Sequence, residues 1–253
     1  MTEKEKLMYR VMGRISESDA PIVFKGAMVT KFILTANGYT ALDRQTKDVD
    51  ANWVGTPPSM GDLVDVINRS LGDLQNQYVA VAFREYGEKK SAGISIRSKD
   101  ADEEIFSMDI SIKPVSGSMM YHYGEIGVRG VLVNEILADK LTVMSTRMLL
   151  RRAKDMVDIY ALAHCVEVRT LEIFEMFKKR PDREVGAFAE FFTNRQDVEH
   201  AYNKLAGIER KPSFDDVYSY LENFLQPFTR RDEAPRVWNS RKLAWDEYAS
   251  FLE

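Results

Sequence analysis

Cysteine is almost missing from this chain: Cys165 is the only one in 253 residues. A lone thiol excludes an internal disulfide framework and a cysteine-rich zinc site. An excess of positive charge is missing too, since 35 Lys and Arg stand against 39 Asp and Glu, for a formal net charge of -4. That balance excludes a protein that coats nucleic acid through net charge and leaves room for a local basic patch. No uninterrupted apolar run could span a bilayer. The opening Met-Thr-Glu-Lys-Glu-Lys has no apolar core of a secretion signal. Low-complexity tracts and repeats of solenoid length are absent as well. What is present is an ordinary globular composition, 45% hydrophobic and 29% charged. A chain of this length forms one large domain or two small ones and buries roughly 70–75% of its unfolded surface. The expectation is a folded, cytoplasmic protein with no membrane association.

Periodicity divides the chain in two. Leu7, Met8, Val11, Met12 and Ile15 recur at helical spacing and predict a helix over 3–16. Ile22-Val23-Phe24 reads as a buried strand that ends at Gly26-Ala27. Met28 to Ala36 reads as a helix closed by Asn37-Gly38. The chain is extended again around Asp48-Val49-Asp50, and a helix follows over 59–75 with Leu63, Ile67, Leu71 and Leu74 as its stripe. Alternation from Tyr78 to Ile112 predicts three strands. Beyond Val131 the pattern is helical: Val133, Ile136, Leu137, Leu141 and Met144 share one face, and Met148 to Val168 continues as a long helix. Further helices are expected near 170–179, 195–206, 213–225 and 240–252, between Pro181, Pro212, Pro227 and Pro235. The fold class is α+β, with a mixed-sheet core over 1–145 and a helical region over 146–253.

Asp48-Val49-Asp50 is the sharpest local feature. Strand residues two apart share a face, so both carboxylates project together. Two aligned carboxylates repel, and a hard divalent cation such as magnesium or manganese neutralises them. The pair alone is weak evidence, because solvated strand ends carry such residues by chance. Upstream, Lys25-Gly26-Ala27 forms a strand-to-helix turn whose amides could face an anion. Arg44 and Thr46 precede Asp48 by four and two residues. Asp109 sits between Met108 and Ile110, at what reads as the inward phase of an apolar strand, although Ser107 and Ser111 share its side. Arg147, Arg151, Arg152 and Lys154 make a basic face that is equally a solvated one. Lys140 reads as a snorkelling residue at a core edge. Asp155 and Asp158 read as helix-face partners of nearby arginines. His164 and Cys165 have no partner at catalytic spacing and read as structural.

Taken together, Lys25-Gly26-Ala27 and Arg44-Gln45-Thr46-Lys47-Asp48-Val49-Asp50 resemble the signature of polymerase-β-like nucleotidyltransferases, in particular the AbiEii/AbiGii abortive-infection toxin family. The resemblance continues through Ser107-Met108-Asp109-Ile110-Ser111, similar to the family's third-carboxylate strand. It extends through Asn134 to Leu141, similar to its Glu-x-x-x-x-Lys-Leu helix, and Arg151 to Tyr160, similar to its Arg-x-x-Asp-x-x-Asp-Ile/Leu-Tyr helix. These four motifs occur in the family's order over residues 25–160, and the remainder is similar only loosely. The resemblance implies a polymerase-β-like core and a toxin that transfers a nucleotide from NTP with Mg2+ or Mn2+. It implies metal held by Asp48, Asp50 and Asp109, and phosphates positioned by Lys25, Gly26, Ala27, Arg44 and Thr46. Lys140 would reach the triphosphate, and Asp155 would orient Lys140 or the acceptor. One departure is Ala27, where the family usually has glycine or serine: a hydroxyl is lost while the backbone amide remains.

The expected acceptor is RNA, through Arg147, Arg151, Arg152 and Lys154, and the expected partner is a helix-turn-helix antitoxin encoded upstream. Three alternatives stay open at this level: a nucleotide-binding relative that has lost transfer, a transferase that modifies a protein, and a structural helical protein whose carboxylates stay apart.

Overall fold

The computed structural model describes residues 2–39, 46–86, 91–146, 149–179 and 185–248. The chain forms two compact units: Met1–Ala36 with Gln45–Leu132, and Asn37–Arg44 with Val133–Glu253. The division thus falls at Leu132 rather than at 145. The helix α4 (Val133–Met144) packs against α5 (Ala153–Cys165) and α6 (Thr170–Lys178), and so belongs with the second unit.

The first unit is built on a seven-stranded mixed sheet. Its strands are β1 (Ile22–Lys25), β2 (Asp48–Trp53), β3 (Tyr78–Arg84), β4 (Ser91–Ser98), β5 (Glu104–Ser111), β6 (Ser118–Tyr123) and β7 (Ile126–Val131), in spatial order β3-β4-β5-β2-β1-β7-β6. Three helices accompany them, α1 (Glu3–Glu17), α2 (Gly26–Ala36) and α3 (Met60–Ser70). The last is followed by a 3₁₀ turn over Gly72–Asn76, where the sequence alone suggested one continuous helix. The β6–β7 hairpin lies in a stretch that the periodicity left unassigned. Its Gly124-Glu125 turn, with Tyr123 paired to Ile126, is the overlooked hairpin signal.

Alternation on the central strands separates two faces. Val49 and Ala51, Phe106, Met108 and Ile110, and Ala92, Ile94 and Ile96 are fully buried. Their helical counterparts Met8, Val11, Met12 and Ile15 of α1, and Leu63 and Ile67 of α3, are buried as well. Each such large side chain contributes about 1.5–3 kcal/mol when taken out of water. The intervening residues make the other face polar: Asp48, Asp50 and Asn52 on β2, Ser107, Asp109 and Ser111 on β5, and Ser91, Gly93 and Ser95 on β4. Asp109 therefore stands on the polar side of its strand, not at an inward phase, because strand residues two apart keep Ser107, Asp109 and Ser111 together.

The second unit is helical except at its end. It contains α4 to α6, α7 (Ala189–Thr193), α8 (Arg195–Asn203), α9 (Phe214–Phe224) and α10 (Gln226–Arg230). The helix expected over 240–252 is instead a hairpin of β8 (Arg236–Asn239) and β9 (Ala244–Glu247), and residues beyond 248 lie outside the described ones. Two causes override the helical pattern. The Asn239 side chain accepts the backbone amides of Arg241 and Lys242 and closes a turn. Trp238 and Trp245, paired across the hairpin, then pack in tilted and edge-to-face arrangements on one another and on Phe224, with centroids 5.2–5.4 Å apart.

Candidate active site

β2 and β5 run parallel and in register, so that Asp48 lies opposite Ser107 and Asp50 opposite Asp109. Neighbouring strands are about 4.8 Å apart, and paired residues project to the same side. The sheet thus brings Asp48, Asp50 and Asp109 to one face from positions sixty residues apart in the chain. On the far side of β2, antiparallel β1 sets Lys25 opposite Asp50. The Lys25 Nζ donates to Asn52 Oδ1 at 2.6 Å, which holds the ammonium group on the carboxylate face.

Gly26 follows directly, and its backbone has φ +70. A Cβ at this position would clash with Asp50 Oδ2, so the absence of a side chain is what lets the carboxylate lie against the turn that opens α2. Gly26→Ala is expected to cost about 1–2 kcal/mol of stability through the left-handed backbone. It should also reduce nucleotide transfer at least tenfold, roughly 1.4 kcal/mol on the barrier, by displacing Asp50. Urea unfolding read beside a transfer assay separates the two effects. Ala27 stands half-buried in the first turn of α2.

Thr46 enters β2 as a buried residue, and its backbone amide is held by Glu5. Glu5 was not among the expected residues. It is 2% exposed on α1, accepts from the Thr2 amide at 2.9 Å and pairs with Lys31 of α2 at 3.0 Å. Burial by itself would raise the Glu5 pKa, yet these donors and the Lys31 charge hold it below the ordinary value. One carboxylate therefore ties α1, α2 and the start of β2 together. The signal for it was Thr2-Glu3-Lys4-Glu5, a capping box whose glutamate the fold reuses.

Arg84 and Phe83 on β3 were also missed. Arg84 Nη2 donates to Asp109 Oδ2 at 2.8 Å, and Asp109 Oδ1 is buried with no hydrogen-bond partner among the described residues. No sequence pattern flags a pair 25 residues apart; only sheet order joins them. As placed, no group of three His, Cys, Asp or Glu side chains among the described residues is close enough to hold a metal ion. The Arg84 ion pair engages one side of Asp109, and Asp50 is turned toward Gly26. The donor set nevertheless fits a hard divalent cation, being carboxylate oxygen throughout and including the unpartnered Oδ1.

Lys140 and Asp155 belong to the second unit. Lys140 Nζ donates to Asp155 Oδ1 at 3.0 Å and to Asp158 Oδ2 at 2.5 Å, and Arg152 Nε donates to Asp155 Oδ2 at 2.8 Å. Lys140, Asp155 and Asp158 are all buried. Burial pushes the Lys140 pKa down, but the Asp158 and Asp155 charges outweigh it and leave it raised. Burial likewise pushes Asp155 up, and Lys140 and Arg152 outweigh it and leave it lowered. Of the expected basic face, Arg151 is exposed, Lys154 is half-buried and Arg152 is committed to Asp155. Arg44 and Arg147 lie outside the described residues.

His164 and Cys165 are structural, as their spacing suggested. His164 Nδ1 donates to the Tyr160 carbonyl, and its ring stacks on Tyr220 at 4.2 Å. Burial pushes the Cys165 thiol up to about 11, which leaves it unreactive at neutral pH.

No helix among the described residues is long and apolar enough to cross a membrane. No curated protein matches the chain in sequence. Among solved structures it is similar to MenT4, a nucleotidyltransferase toxin from Mycobacterium tuberculosis, at 14% identity and a TM-score of 0.54. That match covers 85% of this chain and 79% of the other, and it establishes the fold. The family described as nucleotidyl transferase AbiEii toxin, type IV toxin–antitoxin system, matches residues 8–241. With a carboxylate-bearing mixed sheet and a family match over nearly its whole length, the chain belongs to the AbiEii family: it is an NTP-dependent nucleotidyltransferase, the toxin of a type IV system with an antitoxin as its partner.

Proposed function

We propose that this toxin transfers a nucleotide from NTP to the terminal hydroxyl of an RNA, with Mg2+ or Mn2+ held by Asp48, Asp50 and Asp109. The observation that carries this reading is the in-register pairing of Asp50 with Asp109 on a polar sheet face, beside Gly26 and Lys25. A divalent cation there would neutralise the triphosphate and polarise the phosphorus under attack. The amides of Gly26 and Ala27 and the Lys25 ammonium group bind phosphate oxygens, with Thr46 as a further contact from the same unit. Asp155 orients Lys140, as their 3.0 Å hydrogen bond supports.

The acceptor oxygen forms a bond to the α-phosphorus while the bond to pyrophosphate breaks. The hydroxyl proton leaves to solvent as this bond forms, and the negative charge of Asp109 beside the acceptor oxygen favours its loss. Catalysis then rests on positioning and charge, with no covalent enzyme intermediate. Nucleotide addition would block the normal use of a transfer RNA end and so arrest growth. The antitoxin would be a helix-turn-helix protein encoded upstream, and the site of action the cytoplasm.

Radiolabelled NTP incubated with total RNA and the purified toxin tests the acceptor class directly: label on RNA supports the reading, and label on protein overturns it. Salt provides a second measurement. If Arg151, Lys154 and one or two other cations contact a single strand, log affinity should fall with log salt at a slope of roughly −2 to −3. Arg151→Gln with Lys154→Gln should reduce that slope by about 1.4. An unchanged slope would place the RNA elsewhere.

A further inference from the structure

The edge strand of the sheet carries an exposed aromatic ring beside the third carboxylate. β3 and β4 are antiparallel, with Ala82 opposite Ile94, but Arg84, not Phe83, falls opposite Gly93. Phe83 is therefore the extra residue of a β-bulge, a device that re-aims side chains next to active sites. It puts two consecutive side chains on the carboxylate face. Arg84 bonds Asp109, and the Phe83 ring covers Gly93, where a Cβ would meet three ring carbons at 2.5–2.9 Å. Gly93 is itself the register partner of Asp109. The row across the sheet runs Arg84, Gly93, Asp109, Asp50, Lys25, with the ring lying over its second member.

Phe83 is 56% exposed, the most exposed large apolar side chain among the described residues, and Val81 on the same strand is 41% exposed. A core requirement does not explain a ring left in water. Glycine in a strand interior marks a close approach, and here the approach is made by this ring. One side of the ring is seated on the Gly93 backbone, and the Arg84 guanidinium lies over the ring, 5.8 Å from its centre. A half-exposed aromatic ring with a guanidinium over it offers two planar groups on which the end of a single-stranded nucleic acid can stack. The base stacks on the ring and the adjoining phosphate meets the cation.

We propose that Phe83 is the stacking platform for the terminal base of the acceptor RNA, and that the Phe83–Arg84 bulge sets that nucleotide's hydroxyl beside Asp109. This rests on the RNA-acceptor reading above. Phe83 acts as an acceptor-positioning residue and takes no part in binding NTP. Stacking tolerates any base, so the platform fixes the position of the strand end rather than its sequence.

The test uses the full-length toxin, bulk transfer RNA and radiolabelled NTP, with Phe83→Ala, Phe83→Leu and Phe83→Trp. Alanine and leucine should raise the KM for RNA five- to thirtyfold and leave the KM for NTP within twofold. Tryptophan should restore the RNA KM to within threefold of wild type. Leucine keeps the apolar cover over Gly93, so a role limited to packing would leave its KM unchanged, and that result overturns the proposal. An unchanged RNA KM with weakened binding of the cognate antitoxin would make this edge a protein interface and overturn it equally. If the wild type itself labels no RNA, the acceptor reading has failed, and the Phe83 variants are not what decided it.

Discussion

Asp48→Ala is expected to abolish growth arrest and to reduce nucleotide transfer by about 10³-fold or more, roughly 4 kcal/mol on the barrier, while the protein still folds. The asymmetry follows from where the residue stands. Asp48 is exposed at the start of β2, and exposed substitutions usually change stability by no more than about 0.5 kcal/mol. Its charge is aligned with that of Asp50 on one face of a rigid strand, and Asp50 is aligned with Asp109 across the β2–β5 pair. Removing one member leaves the triphosphate charge poorly neutralised where the transferring phosphorus needs it. Asp50→Asn, which keeps the contact with Gly26, should show the same loss. Transfer retained within tenfold in both variants, with unfolding midpoints unchanged, would remove this carboxylate row from the reaction.

The second large effect concerns stability. Lys140→Met should cost about 3–5 kcal/mol, because it leaves Asp155 and Asp158 buried without their shared cation. A compensated variant that also replaces both aspartates by Asn should recover part of that loss, since a buried ionic cluster is itself weakly favourable against neutral replacements. The pH dependence carries a definite sign. The lowered Asp155 pKa contributes stability above its unfolded value of about 4 and loses it as pH falls through the folded value. The raised Lys140 pKa contributes fully below about 10.4 and loses it as pH rises through the folded value. The difference between wild type and variant should therefore be largest near neutrality and shrink in strong acid. Chemical denaturation at several pH values measures it. A loss under 1 kcal/mol at pH 7 would show that Lys140 is weakly held, and a fall in NTP affinity without that loss would give it the phosphate role alone.

The local geometry around the carboxylate row is partly legible in the sequence. Asp48 and Asp50 share a face because strand geometry has a period of two, and that holds wherever the strand lies. The Lys25-Gly26-Ala27 turn was readable because an apolar strand ran into glycine and then into a helical pattern. The strand bearing Asp109 was also readable, but its facing was not: Met108 and Ile110 suggested an inward phase, and only the neighbouring strands show which side is covered. The hairpin that ends the described chain failed to show because helical spacing and a short β-ribbon look alike over a dozen residues. There the Asn239 turn and the tilted Trp238–Trp245 contact decide the outcome.

By itself the sequence determined local periodicities, the turn chemistry and the spacing of charged residues, since these are properties of a chain segment and its immediate neighbours. Tertiary structure alone decided which strands are adjacent. Strand order β4-β5-β2-β1 puts Asp109 beside Asp50 and Lys25 on its other side, and a one-residue bulge in β3 brings Arg84 and Phe83 to the same row. It also chose the partners of the buried charges, Glu5 for Thr46 and Lys31, and Lys140 for Asp155 and Asp158. The physical reason is that hydrogen bonds and ion pairs act over a few ångströms of space, and the sheet, not the chain, sets which residues come that close.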